Sequence, residues 1–294
     1  MFQAFVSALL PVILIAGLGA YLGRKTTYLD SPALGQLVTN IGLPCLLLSS
    51  VLKMQMPVGE MLSLVLATAA VLISMMIVTF FVLRVARLPV RYYISPLVNP
   101  NAGNLGIPVV FALVGDAGLA AAVVISSVVQ ISHFTLGVGA MSGEYKPKQL
   151  IKNAPVMALL LGIILLGLSI PVPDFAVDTL SMLGNITLPI MLLMLGQSIS
   201  SLTMIDKAQF TRLLSFAVYR PLIGTLIALG IIELFPLTPP QALALLLQSA
   251  MPVAVISYML SKKYGGPTQE IAGLIVISTP ISFVMISLLW ILVS

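Results

Sequence analysis

Charged residues are scarce in this chain: 8% of it is Asp, Glu, Lys or Arg, where ordinary soluble domains carry about a quarter. With 59% hydrophobic residues and a mean hydropathy of +1.13, a water-soluble globular fold is excluded and the bilayer is the solvent. There is a single cysteine, Cys45, which rules out an internal disulfide and any cysteine-only metal cage. There is a single histidine, His133, so no His-Glu-x-x-His metal site can form, and no cofactor is expected. No apolar run holds two acids, which removes the paired carboxylates or nucleophile–base pair that an intramembrane enzyme needs. Linkers and low-complexity tracts are missing too, leaving no room for a separate soluble domain. The first apolar run lacks a basic leader and a small-residue cleavage site, so it reads as a span rather than a removable signal. The net charge of +5 does not imply nucleic acid, because the basic residues sit in short loops between apolar runs.

What is present is a repeat. Pro11 recurs as Pro155, Pro44 as Pro189 and Pro108 as Pro252, each at an offset of 144 or 145 residues. Asn40-Ile-Gly-Leu-Pro44 echoes Asn185-Ile-Thr-Leu-Pro189, and Asn104-Leu-Gly-Ile-Pro108 aligns with Gln248-Ser-Ala-Met-Pro252. A proline inside an apolar helix removes a hydrogen bond and clashes with the preceding turn. Two related apolar halves with helix breaks at matching places read as a secondary transporter.

Apolar runs give ten predicted spans: 2–23, 33–52, 61–83, 92–114 and 119–141 in one half, then 154–171, 179–201, 213–235, 242–261 and 270–293 in the other. The domains are accordingly 1–150 and 151–294, joined by the polar stretch Gly143–Asn153. Twelve of the 14 basic residues fall in odd-numbered loops (Arg24, Lys25, Arg84, Arg87, Arg91, Lys146, Lys148, Lys152, Lys207, Arg212, Lys262 and Lys263), and only Lys53 lies in an even one. The positive-inside rule puts odd loops in the cytoplasm and both termini outside. With five spans per half the second repeat enters the membrane with opposite polarity, so the fold class is an all-α polytopic protein of two inverted five-helix repeats.

The fourth span contains Asn99-Pro100-Asn101-Ala102-Gly103-Asn104-Leu105-Gly106-Ile107-Pro108, which no uninterrupted helix would hold. Its freed backbone groups are tolerated at membrane depth only in protein or a wet cavity. The fragment after Pro108 is expected to start a half-helix whose positive end attracts anions. The ninth span breaks at Pro252. If the two breaks cross, the amides of Asn101, Asn104 and Gln248 come together around a small anion. The bland alternative is that the asparagines only cap freed backbone.

Pro100-Asn101-x-x-x-x-Gly106-Ile107-Pro108 resembles the fourth-helix break of the auxin efflux carrier family, which includes the plant PIN-type carriers. Gln248-Ser-Ala-Met-Pro252, followed by Ser261-Lys262-Lys263-Tyr264-Gly265, resembles that family's ninth helix and its following loop. The resemblance spans essentially the whole chain. It implies crossed broken helices at Pro108 and Pro252, a dimerising scaffold of spans 1, 2, 6 and 7, and a transport body of spans 3–5 and 8–10 that slides against it. The binding residues it carries over are Asn101, Pro108 and Pro252, with Gln248, Asn104 and Gln130 completing the pocket. Members without a long central loop, as here, often carry malate, malonate or other small carboxylates. The third span has no acid between Met61 and Leu83, where plant members use one.

His133 is a candidate proton relay, against a neutral histidine bonded between helices. Arg220 lies eight residues beyond Arg212, about 12 Å along a helix, too deep for easy snorkelling. It either draws in an anionic substrate or pairs with carbonyls. Tyr92, Tyr93 and Trp290 fit an interfacial aromatic belt. The expected function is a secondary carrier, and an efflux one, for small organic anions such as carboxylates or auxin-like indole acids. A passive anion channel is the alternative. Its expected setting is a bacterial inner membrane, as a homodimer in lipid, with no metal. Coupling to protons or facilitated diffusion down the membrane potential stay open, and sodium coupling lacks the acidic residue in a span that often helps hold the cation.

The topology is directly testable. With Cys45 replaced by Ala, Lys53→Cys is expected to react with an impermeant thiol reagent on intact cells, and Arg87→Cys only after permeabilisation; the opposite pattern would invert the orientation.

Overall fold

Prolines decide where this all-helical chain bends. The computed structural model describes residues 2–53, 58–143, 154–168, 170–200 and 207–293. The connection between the halves, 144–153 with Lys146, Lys148 and Lys152, lies outside the described residues. Among those described, all regular structure is helical and no strand forms. The helices are α1 (Phe2–Lys25), α2 (Pro32–Leu52), α3 (Val58–Val85), α4 (Val90–Val98), α5 (Ala102–Val114), α6 (Ala117–Ser142) and α7 (Ala154–Gly167). They continue as α8 (Asp174–Asn185), α9 (Thr187–Ser200), α10 (Lys207–Ile232), α11 (Pro239–Ser249), α12 (Val255–Lys263) and α13 (Thr268–Val293). Helix occupies all ten predicted intervals. The largest shift is at α10, which begins at Lys207 rather than 213, because apolarity marks where lipid begins and the helix runs on past it.

Six helices among the described residues are long and apolar enough to cross a membrane. They are apolar on both sides. Leu43, Leu64, Met75, Leu83, Ile125 and Leu213 are fully buried, while Ile73, Phe81, Leu226, Val284 and Leu288 point outward. An outward apolar face is costly in water and favourable in lipid.

Not every proline breaks its helix. Pro11, Pro221 and Pro280 lie within continuous helices, where one lost hydrogen bond is tolerated. The breaks occur where a side-chain amide joins proline: at Asn99–Asn101 between α4 and α5, and at Ala250–Ala254, just past Gln248, between α11 and α12. Wider turns with i→i+5 bonding interrupt α2 at Val38–Gly42, open α5 at Ala102–Gly106 and interrupt α6 at His133–Gly137. Such turns concentrate at functional sites.

Two packing groups result. In the first, α1 lies along α9 and the second half of α2 packs on α7 and α8. In the second, α6 packs on α3, α5 and α11, and α10 on α3, α11 and α13. Small residues set the first group's spacing: a side chain at Gly196 would strike the Ala16 carbonyl, and one at Gly19 the backbone of Leu193. Close backbone approach between small residues is how membrane helices associate without a hydrophobic driving force. Across this group, Gly42 abuts Thr187, its own counterpart in the repeat.

Gly196→Val is expected to destabilise the protein by about 1–3 kcal/mol through overpacking against backbone that cannot yield. A lowered apparent Tm in detergent checks it, with the open-sided Gly17→Ala as a control that leaves Tm unchanged.

Candidate functional site

The two helix breaks meet. Pro100 and Val253 form an isolated antiparallel bridge, and the Asn101 N–H donates to the Pro252 carbonyl at 2.8 Å. Each break supplies what the other lost, which is how irregular backbone survives at this depth. Further support comes from α13, where the Ser278 hydroxyl accepts the Val253 N–H at 3.2 Å.

The crossing sorts the helix ends by polarity. On one side lie the N-termini of α5 and α12, with a buried cavity of about 20 Å³ between them. It is lined by Asn101, Gly103 and Asn104 from the first end, Ala254 and Ile256 from the second, Gln130 and His133 from α6, and Leu43 and Met191 from α2 and α9. Each helix N-terminus carries roughly half a positive charge, so this is a place for an anion. The volume holds one water molecule and no organic solute, so the site is closed in this conformation.

Asn101 and Asn104 therefore come together, as the sequence led us to expect, with the Gln130 that the family resemblance adds; His133 joins them unanticipated. The Asn101 side chain is buried and makes no hydrogen bond among the described residues; its carbonyl accepts from the Gly106 N–H at 2.9 Å. Asn104 has only a long contact, 3.9 Å, from its amide nitrogen to the Met191 sulfur. The Gln130 Oε1 is buried without a partner. His133 is buried and its Nε2 lies 3.5 Å from the Ser257 hydroxyl, the inter-helix placement of the blander reading. Buried amides with spare hydrogen-bonding capacity around one cavity are the signature of a site awaiting a polar ligand. Backbone capping describes a different asparagine, Asn99, whose amide donates to the Ser95 carbonyl at 3.2 Å.

Four expectations need correcting. Gln248 does not join Asn101 and Asn104. It points across the break, packs against Gly106 and donates to the Ala122 carbonyl at 3.1 Å, lining a second cavity of about 10 Å³. The positive end of the fourth-span half-helix lies at Ala102 rather than after Pro108, because the wide turn lets the helix start before the proline. Pro252 acts through its carbonyl, which holds Asn101. Tyr93, placed in an interfacial belt, is instead buried, its hydroxyl donating to Glu270.

On the opposite side of the crossing are the C-termini of α4 and α11, and Arg220 sits between them. It is 2% exposed, and its guanidinium donates to the carbonyls of Ser249 at 2.6 Å, Met251 at 2.8 Å and Val98 at 3.3 Å. Carbonyl pairing is thus the reading of Arg220 that the geometry carries. Gly224, one turn along α10, permits the approach, since a side chain there would meet the Ser249 carbonyl.

Sequence reasoning missed a third cluster. Glu270, at the start of α13, accepts from Tyr93 of α4 and forms an ion pair with Arg212 of α10 at 2.8 Å. A lone carboxylate near the arginines and lysines of the odd-numbered loops was the available signal. Glu60, at the start of α3, accepts from the Gln241 amide at 3.1 Å.

An all-helical membrane protein with two crossed, broken helices around a polar centre falls within the class of membrane transporters. The chain belongs to the membrane transport protein family, the auxin efflux carrier family, whose model matches residues 4–147 and 140–291. It is also 28% identical over 204 residues to an uncharacterized transporter of Methanocaldococcus jannaschii, an alignment covering 66% of each chain. The chain thus matches just under two thirds of that relative's length.

Proposed function

We propose that this integral membrane protein is a secondary carrier for small organic anions, exporting carboxylates or auxin-like indole acids by elevator-type alternating access. The observation that carries this reading is the position of the closed cavity. It lies between two positive half-helix ends and on the boundary between the packing groups, with Leu43 and Met191 contributed by one group and Asn101, Asn104, Gln130 and His133 by the other. A site walled on one side by a body that stays and on the other by a body that moves is exposed alternately when the two slide.

In this reading the ten spans form two inverted repeats, with both termini outside the cytoplasm of a bacterial inner membrane. Contact between Gly42 and its repeat counterpart Thr187 supports a two-fold relation, since symmetry mates meet only near their axis. Spans 1, 2, 6 and 7 form a dimerising scaffold, and spans 3–5 and 8–10 carry the solute. Asn101 and Asn104 donate to the anion, Gln130 completes the ring, and Pro108 and Pro252 set the break geometry. Gln248 fixes the crossing to α6 from behind. His133 holds α6 to α12 through Ser257 rather than relaying protons. A passive anion channel is separated by counterflow, in which unlabelled solute inside drives uptake of label: a carrier shows it and a channel does not.

A thermal-shift screen of the purified protein against mono- and dicarboxylates and indole acids should yield a ligand that raises Tm. Asn101→Ala and Asn104→Ala are then expected to weaken that ligand about 10- to 100-fold, the worth of one or two hydrogen bonds to a charged group. Neither should cost more than about 1 kcal/mol of stability, as neither amide has a strong partner to lose. Normal counterflow in both variants would sink the site assignment. Gly103→Ala, whose methyl would sit 3.1 Å from the Ser126 hydroxyl and 3.5 Å from Gln130 Nε2, is expected to cost about 10-fold in affinity by filling the cavity edge.

A further inference from the structure

Unwound carbonyls and half-helix C-termini at a crossing are the groups with which broken-helix carriers hold a coupling cation. Here three such oxygens face a single side chain. We infer that the Arg220 guanidinium is a tethered cation in the place where a mobile coupling ion would bind, which makes transport independent of sodium. The inference rests on the carrier reading for its consequence and on the coordinates for its geometry.

Three observations converge. The oxygens of Ser249, Met251 and Val98 all face the guanidinium, and they come from both broken segments. Val98 and Ser249 are the last residues of α4 and α11, so the two negative dipole ends bring roughly one unit of negative charge together. That balances one guanidinium. Among the described residues no carboxylate pairs with Arg220; its hydrogen-bond partners are these carbonyls, and the counter-charge is supplied by backbone. Neutral backbone carbonyls are also the oxygens that take the place of a monovalent cation's hydration shell. A mobile ion in this place enters and leaves with its gradient. A covalently attached one stays with α10 and holds the crossed segments together at every stage of the cycle, so the sodium gradient has nothing to act on.

The sorting of helix ends gives the arrangement its logic. The positive ends of α5 and α12 face the cavity proposed for the anion, and the negative ends face away from it towards Arg220. Without a cation behind the crossing, two C-termini would lie together in a low-dielectric interior with their carbonyls unsatisfied.

The test compares full-length protein melted in sodium chloride and in choline chloride at equal ionic strength. Wild type is expected to melt at the same temperature in both, to within about 1 °C, since the guanidinium already fills the proposed site. Arg220→Lys, which keeps the charge, is expected to melt well above Arg220→Ala in choline. Arg220→Ala is expected to recover by several degrees in sodium, because its vacated carbonyls can take a small ion. Accumulation of the Lys variant without the Ala variant would support the same conclusion. Sodium-specific stabilisation of wild type, equal stability of the variants, failure of both to accumulate, or an Ala variant indifferent to sodium would each overturn it. In proteoliposomes, counterflow in wild type is expected to be unchanged when sodium is removed, and dependence on sodium would overturn the inference. Absence of any counterflow, with the melting results as expected, would remove the carrier reading and leave the tethered cation standing.

Discussion

A helix opened in the middle of a bilayer exposes peptide groups that no water can satisfy, and the rest of this structure follows from how that cost is met. The chain opens two helices and lets each repair the other, through the Asn101–Pro252 hydrogen bond and the Pro100–Val253 bridge. Two antiparallel breaks that cross place like ends of the half-helices on the same side. The polarity of the peptide group then does the rest, as one face of the crossing becomes positive and the other negative. The family's transport role has a physical basis in this separation. A solute site needs an electrostatic preference without a fixed charge that would bind too tightly to release.

The pattern of contacts assigns the two faces different environments. The negative face is sealed by Arg220 and by the close approach of Gly224 to the Ser249 carbonyl. The positive face opens on a cavity whose far wall belongs to α2 and α9. Those helices pack mainly with α7, α8 and α1, through glycines that allow backbone contact. The wide turns in α2, α5 and α6 all lie on this side of the molecule or border the crossing, where a helix that has already given up regular bonding can shift at lower cost.

Much of this was legible from residue order. The ten apolar intervals all hold helix, and both breaks fall where proline is combined with glycine or polar amides. The pairing of Asn101 with Asn104 was also anticipated, because amides in an apolar span have few tolerable positions; Gln130 came from the family resemblance, and the placing of His133 beside them came from the structure alone. Gln248 was misplaced since a repeat alignment matches positions along the chain and not the direction of a side chain across a break. Tyr93 was misplaced and Glu270 missed for a related reason: a tyrosine near a membrane boundary has the same sequence signature whether it meets headgroups or a carboxylate of another helix.

Sequence alone determined that the chain lives in lipid, that it is built twice, and where its helices must break, because hydropathy and proline act locally and leave marks at fixed positions. Only the tertiary structure decided which atoms repair each break, which amides share a cavity and which cation lies behind the crossing. Those choices depend on contacts between Val98, Arg220 and Ser249, residues up to 151 positions apart along the chain. Nothing in the local pattern around any one of them encodes the direction from which its partner arrives.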